Sequence, residues 1–184
     1  CVVSWPGHVQ ENVATGEFMA MEDWMPTILS ALGEPELKDE LLKGKTIGSM
    51  TYKVHLDGYD QTELLSGKGK SKRKDFYYFT ETTLHGLRYG DWKFLFKTQD
   101  KWFNGIQENL NTPLITNLKL DPFERFHEAR GFDEWQENRS WTLAPATAQI
   151  AKFMKSLQEY PPRIKSLDFD LDAMVADASA SQAR

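Results

Sequence analysis

Phe76–Lys97, FYYFTETTLHGLRYGDWKFLFK, alternates aromatic and aliphatic residues with polar and basic ones on either side of a single Gly-Asp pair. A period of two marks a half-buried strand, and a two-residue break containing Gly marks a tight hairpin turn. With Gly90 and Asp91 as the turn, Tyr89 is expected opposite Trp92, Leu87 opposite Phe94, and His85 opposite Phe96, so that all six side chains share one face. The other face then carries Leu84, Gly86, Arg88, Lys93, Leu95 and Lys97, and is expected to be mostly solvated. Phe76–Glu81 reads as a third strand. LITNLKLDPFE, from Leu114, reads as a fourth that ends in an Asp-Pro turn.

One face of such a sheet needs a cover. PATAQIAKFMKSLQEY, from Pro145, repeats Ile150, Phe153, Met154 and Leu157 at helical spacing, which predicts an amphipathic helix of about four turns. The Tyr160-Pro161-Pro162 run ends it. Nearer the start of the chain, Asp23 before WMPTILSALG predicts a helix with an acidic N-cap, Pro26 in its first turn and Gly33 as its stop. Ile28, Leu29 and Leu32 form its apolar stripe and are expected to pack in a core. Residues 34–69 read as loops with one short strand and one helical turn. CVVSWPG reads as a strand entering a Pro-Gly turn, and a chain opening in mid-strand is expected to be the C-terminal part of a longer polypeptide.

Composition narrows the functional classes. The 184 residues are 40% hydrophobic, enough to bury one sizeable core. A net charge of −5, from 27 acidic and 22 basic residues, offers no general field for nucleic acid or an anionic membrane. The basic run Lys68–Lys74, KGKSKRK, is read as a surface loop. The single cysteine excludes an internal disulfide. No stretch approaches the roughly 20 apolar residues of a bilayer span. Neither a nucleic acid nor a membrane is therefore expected as a partner.

Chemistry-bearing patterns are sparse. There is no Gly-rich phosphate loop, no His-Glu-x-x-His and no paired-cysteine spacing, and His8, His55, His85 and His127 form no ligand pattern. Asp168, Asp170 and Asp172 alternate in DFDLD, but the Gly and terminal Glu of a calcium loop are missing, so the stretch is read as an acidic strand or tail. Cys1 has no base nearby in sequence and reads as a small core residue. Asn138-Arg139-Ser140 matches a glycosylation sequon.

CVVSWPG, EDWMPTILSALG, Gly67-Lys68 with FYYF, LHGLRYGDWKFLF and NLKLDPFER follow one another in an order and at intervals that resemble the C-terminal third of arylsulfatases, over roughly residues 1–160. The stretch from Trp102 to Leu114 is similar to an insert of the bacterial members. The resemblance implies an alkaline-phosphatase-like fold. Residues 1–70 would be the end of a larger N-terminal α/β catalytic domain with connecting loops, residues 71–162 a C-terminal domain of antiparallel sheet and helix, and residues 163–184 an extended, partly disordered tail. The implied fold class is thus α+β, a small antiparallel β-sheet packed by a C-terminal helix.

The resemblance also implies hydrolysis of a sulfate monoester by a formylglycine nucleophile with calcium, since such an ester needs a strong nucleophile, neutralised oxygens and an acid for the leaving alcohol. Cys1 is followed by Val2 and Val3 where the family has x-Pro-Ser-Arg, so the nucleophile and the calcium ligands are expected outside this chain, with no catalytic or metal residue within it. Val2–Trp5 are expected as sheet core and Asp23 as a helix cap. The expected substrate-side residues are His85, Trp102, Phe103 and Asn104, because the TETTLHG bend and the insert after Gln99 leave the hairpin at the same end. The implied partners are a sulfated aryl or carbohydrate molecule and the missing N-terminal domain, and the implied location is periplasmic or secreted. Two alternatives stand beside this reading: a non-catalytic sugar- or partner-binding module, and a phosphodiesterase or phosphonate hydrolase of the same superfamily.

Overall fold

The computed structural model describes residues 1–80, 82–101 and 104–161. Its elements are, in chain order, α1 (Trp24–Ala31), α2 (Leu37–Lys43), β1 (Lys45–Ile47), β2 (Met50–Tyr52), α3 (Thr62–Leu65), β3 (Asp75–Thr80), β4 (Thr83–Tyr89), β5 (Trp92–Gln99), β6 (Gln107–Asn117), α4 (Phe132–Glu137) and α5 (Leu143–Glu159). β3, β4, β5 and β6 form one antiparallel sheet in sequence order, and β1 pairs with β2 in a separate small hairpin. This is the α+β class expected from the alternation and the helical period.

The hairpin register follows from its turn. Gly90 has φ +60, and Tyr89 pairs with Trp92 and Leu87 with Phe94. Leu87, Phe94, Ile115 and Ala146 form the buried core, with Tyr77, Phe96, Trp135 and Ile150 packed against it. Each large apolar side chain so buried contributes roughly 1.5–3 kcal/mol. α5 covers this face: Ala146 is buried, and Phe153 stacks on Tyr77 at 3.9 Å between ring centroids. The helix begins two residues before Pro145, which therefore sits in its first turn, where a missing N–H breaks no bond. Met154 is half exposed, so the apolar stripe is narrower than its sequence spacing suggests.

The opposite face is less solvated than alternation predicts. β3 places Phe76 and Tyr78 there, and apolar rings recruit cover. Phe18 packs edge-on to Phe76 at 6.3 Å, and the Arg88 guanidinium lies 3.9 Å over the Phe18 ring. Lys93 pairs with Glu124 at 2.6 Å and lies 4.9 Å from the centre of the Tyr78 ring.

Three other expectations are corrected. Residues 34–69 hold two helices and a hairpin, because Leu37 and Leu41 are buried at helical spacing within a short, charged segment. Residues 1–5 form no strand and Val2 is 98% exposed, since no neighbouring strand among the described residues bonds with them. The Pro-Gly turn that follows does form, with the Trp5 carbonyl accepting from the N–H groups of His8 and Val9 at 3.1 and 3.0 Å. The apolar stripe of α1 faces outward: Ile28 is 54% and Leu32 76% exposed, while Thr27 is buried.

Candidate functional site

Strand order fixes which loops meet. β3 and β5 both run toward one end of the sheet, so the β3–β4 connection and the β5–β6 loop lie there together, and the Gly90 turn lies at the other end. This is the juxtaposition that the hairpin register predicts. Ladder irregularities mark the same end. Tyr78 pairs with Gly86 but Phe79 with Leu84, which leaves His85 as the extra residue of a β-bulge. Leu95 pairs with Leu114 but Lys97 with Asn109, which sets residues 110–113 against Phe96 alone. Pro113 is within that looped-out stretch of the edge strand, where its lack of an N–H is tolerated. Beyond it, Lys97–Gln99 pair with Gln107–Asn109 as a two-stranded ribbon.

The ribbon's loop is tightly made. The N–H of Ile106 donates to Asp100 Oδ1 at 3.1 Å, and that of Gly105 to the Lys101 carbonyl at 3.2 Å. A Cβ on residue 105 would sit 2.4 Å from Lys101 N and 2.5 Å from Asp100 Oδ1, so this loop requires glycine. Asn104 is exposed on it. Trp102 and Phe103 lie outside the described residues.

His85 is partly buried, and its Nε2 is enclosed with no hydrogen-bond partner among the described residues. An enclosed imidazole nitrogen left unpaired costs about 1–3 kcal/mol, and it accepts or donates one further bond according to tautomer. The end as described offers one imidazole, the Asn104 amide and a glycine-built loop. These are groups that bind and orient. Cys1 is exposed rather than packed, with a free thiol. Among the described residues no three His, Cys, Asp or Glu side chains come together as a metal site. Asp168, Asp170 and Asp172 lie outside the described residues.

The strongest electrostatic feature is elsewhere. Asp23 precedes α1 as expected of an N-cap, but its side chain does not cap that helix. Oδ1 accepts from Arg73 Nη2 at 2.7 Å and Tyr59 N at 2.8 Å, and Oδ2 from Arg73 Nε and Ala20 N, each at 2.9 Å. Arg73 further donates to the carbonyls of Asp75 and Asp57, and Gln61 Nε2 reaches Asp23 Oδ2 at 3.3 Å. Burial pushes the Asp23 carboxyl up, but the Arg73 guanidinium and the two backbone donors outweigh it and hold the carboxyl below its usual range. Arg73 belongs to the run read as a surface loop. That reading is wrong for this residue, which is 6% exposed, although Lys70, Lys72 and Lys74 are exposed. A run of like charges gives no local sign of which member finds a buried partner.

A cavity of about 470 Å³ lies away from His85, beside the Gly90 end of β6. A smaller one of about 160 Å³ adjoins Trp5 and His8, whose rings stack at 4.4 Å.

No known protein-family model matches the chain. Arylsulfatase A of Homo sapiens is 26% identical over an alignment of 196 residues that takes in 98% of this chain and 32% of that protein. Arylsulfatase A of Bos taurus is 26% identical over 170 residues, 84% of this chain and 29% of that protein. The chain thus spans about a third of the length of these relatives. Among solved structures, a sulfatase from Pseudoalteromonas sp. is similar with a TM-score of 0.48 and 25% identity, over 58% of this chain and 22% of that one.

Proposed function

We propose, from the premise that this chain is the C-terminal part of a sulfatase, that it serves as scaffold and as one wall of the substrate pocket in a sulfuric ester hydrolase. The observation that carries this is sequence similarity to arylsulfatase A along 98% of the chain. In the proposal the rest of the polypeptide supplies the formylglycine nucleophile and the calcium that neutralises the sulfate oxygens. This chain's residues position the alcohol side of the ester. His85 Nε2 bonds an ester or hydroxyl oxygen, Asn104 bonds a second hydroxyl, and Trp102 and Phe103 stack on an aryl or sugar ring. The division into residues 1–70, 71–162 and 163–184 belongs to the same proposal, as does a periplasmic or secreted location. Among the described residues no helix is long and apolar enough to cross a membrane.

The outward stripe of α1 supports the intramolecular partner. Met21, Met25, Ile28 and Leu32 are all more than half exposed and recur at intervals of four, three and four residues along one helical face. The domain expected before residue 1 is their proposed cover. The test is turnover of nitrocatechol sulfate by a polypeptide joining this chain to its preceding domain, and by the 184-residue chain alone. Activity in the first and none in the second is expected. Turnover by the chain alone, with contaminating enzyme excluded, overturns the division of labour. Hydrolysis of phosphodiesters or phosphonates in place of sulfates by the longer polypeptide overturns the reaction assigned.

A further inference from the structure

The cavity beside β6 has walls of two chemical kinds. Phe126, Phe132 and Trp135 form one side. They are locked together, with Phe132 stacked on Trp135 at 6.0 Å and Phe126 edge-on to both. The Arg139 guanidinium, 4.4 Å from the Trp135 ring centre, holds that ring from another direction. The wall is therefore rigid and apolar.

The polar side is biased toward donors. Asp121 has both carboxylate oxygens occupied, Oδ1 by Arg125 N at 3.1 Å and Oδ2 by Phe126 N at 2.8 Å. Asn117 Oδ1 accepts from the N–H groups of Lys119 and Leu120 at 3.1 and 3.2 Å, which turns the amide so that its NH₂ is left over. Thr116 is 7% exposed, and no hydrogen bond from its hydroxyl is made to another described residue. Arg125 has an exposed ion pair to Glu128 at 3.9 Å, too long to be a hydrogen bond. Each Asp121 oxygen thus accepts a backbone N–H while its charge stays in the wall, and beside it stand a guanidinium, an amide NH₂ and a hydroxyl. A volume near 470 Å³ lies within the usual range for a small-molecule site.

We propose that this cavity binds a small ring carrying an oxyanion, such as a sulfate or carboxylate. Arg125, Asn117 and Thr116 donate to the anion, and the Phe126, Phe132 and Trp135 wall receives the ring. The site is separate from the His85 end of the sheet and does not rest on the sulfatase reading.

Calorimetric titration of the 184-residue chain with 2-naphthalenesulfonate, 2-naphthoate and neutral 2-naphthalenesulfonamide tests it, with galactose 6-sulfate against galactose as the sugar arm. The anionic probes are expected to bind about tenfold or more tightly than the neutral one, the margin of a charge-assisted contact. The better of sulfonate and carboxylate identifies the oxyanion, and the sugar arm tells a saccharide site from an aryl one. Arg125→Gln and Asn117→Asp are each expected to erase that preference while leaving the sulfonamide unchanged. Asn117→Asp keeps the oxygen that holds the turn but adds a negative charge as it removes the donor, so Arg125→Gln and Thr116→Val decide whether donation itself is the cause. Thr116→Val keeps the shape and should weaken the anions alone, which preserves the test if another variant fails to fold. Equal affinity for charged and neutral probes, no binding at millimolar concentration, or anion affinity unchanged in all three variants overturns the proposal.

Discussion

At the scale of single residues, Asp23 and Arg73 join segments 50 positions apart, and their energetics are asymmetric. Removing one partner leaves a charge without its counter-ion in a site closed to water, which costs about 3–5 kcal/mol. Arg73→Met is therefore expected to lower unfolding free energy by about that amount at pH 7, read by urea denaturation. The pH dependence gives a second readout. In the parent chain the Asp23 carboxyl is held below its ordinary value of 3.8. Its stabilisation is fully present above that value and is lost as pH falls through the lower folded value. In Arg73→Met the counter-ion is gone and burial raises the carboxyl, so acid relieves the variant. The difference between the two proteins should narrow between pH 7 and pH 3, and a constant difference would count against the pair as its source. Gly58 supplies an independent check. A Cβ there would lie 2.0 Å from the Glu22 carbonyl oxygen and 3.0 Å from Pro26 Cδ. Gly58→Ala must push the loop off the start of α1 and strain the Tyr59 N–H bond to Asp23, at a cost of about 1–3 kcal/mol by thermal or urea unfolding.

At the scale of elements, α1 is inverted relative to its expected packing, and the inversion is testable. Lysine at Ile28 and Leu32 should change the stability of the 184-residue chain by no more than about 0.5 kcal/mol, because both side chains are largely exposed. The same pair should reduce self-association of the chain, followed by sedimentation, and should destabilise the longer polypeptide in which the face is proposed to be covered. A parent chain that stays monomeric at high concentration would remove the reason for a cover. Sequence periodicity identifies an apolar face but not its neighbour, which is why the α1 helix was legible and its orientation was not. The β4–β5 hairpin was legible for the opposite reason: its turn and its period of two act together over adjacent residues and leave one register. The bulges at His85 and Phe96 lacked such a local signal. Gly86, whose Cβ would meet the Phe94 carbonyl at 2.6 Å, and Pro113 in the edge strand were the only hints, and neither states how many residues loop out. The donor-lined cavity was equally hidden, because it joins the end of β6 to α4 across a turn whose polar groups are spent on backbone bonds visible only in the fold.

At the scale of the whole molecule, the boundary proposed at residue 70 is heavily crossed. Arg73 binds Asp23, Ser71 N donates to Glu17 Oε2 at 3.1 Å, and Phe18 packs on Phe76. The sheet is thereby held in fixed relation to the segment carrying the outward face of α1. If that face docks on a catalytic domain, the bulged end of the sheet is carried along as a rigid body. In the proposed reading this end then acts on the substrate by placement. Substitutions at this end of the longer enzyme should separate binding from chemistry. If Trp102 stacks on the substrate as proposed, Trp102→Ala is expected to raise KM several-fold, or to reorder preference among leaving groups, by removing a contact worth about 0.5–1.5 kcal/mol. Kcat at saturation should change little, since the proposed nucleophile is not touched. His85→Ala has a further consequence because its Nε2 is enclosed with no hydrogen-bond partner among the described residues. If a substrate satisfies that nitrogen, its deletion should weaken substrate binding, while the relief of an unpaired polar atom offsets part of the packing lost with the ring. A His85→Ala enzyme that loses stability but keeps its KM across aryl and carbohydrate sulfates would place this histidine in packing and take the bulged end out of the pocket.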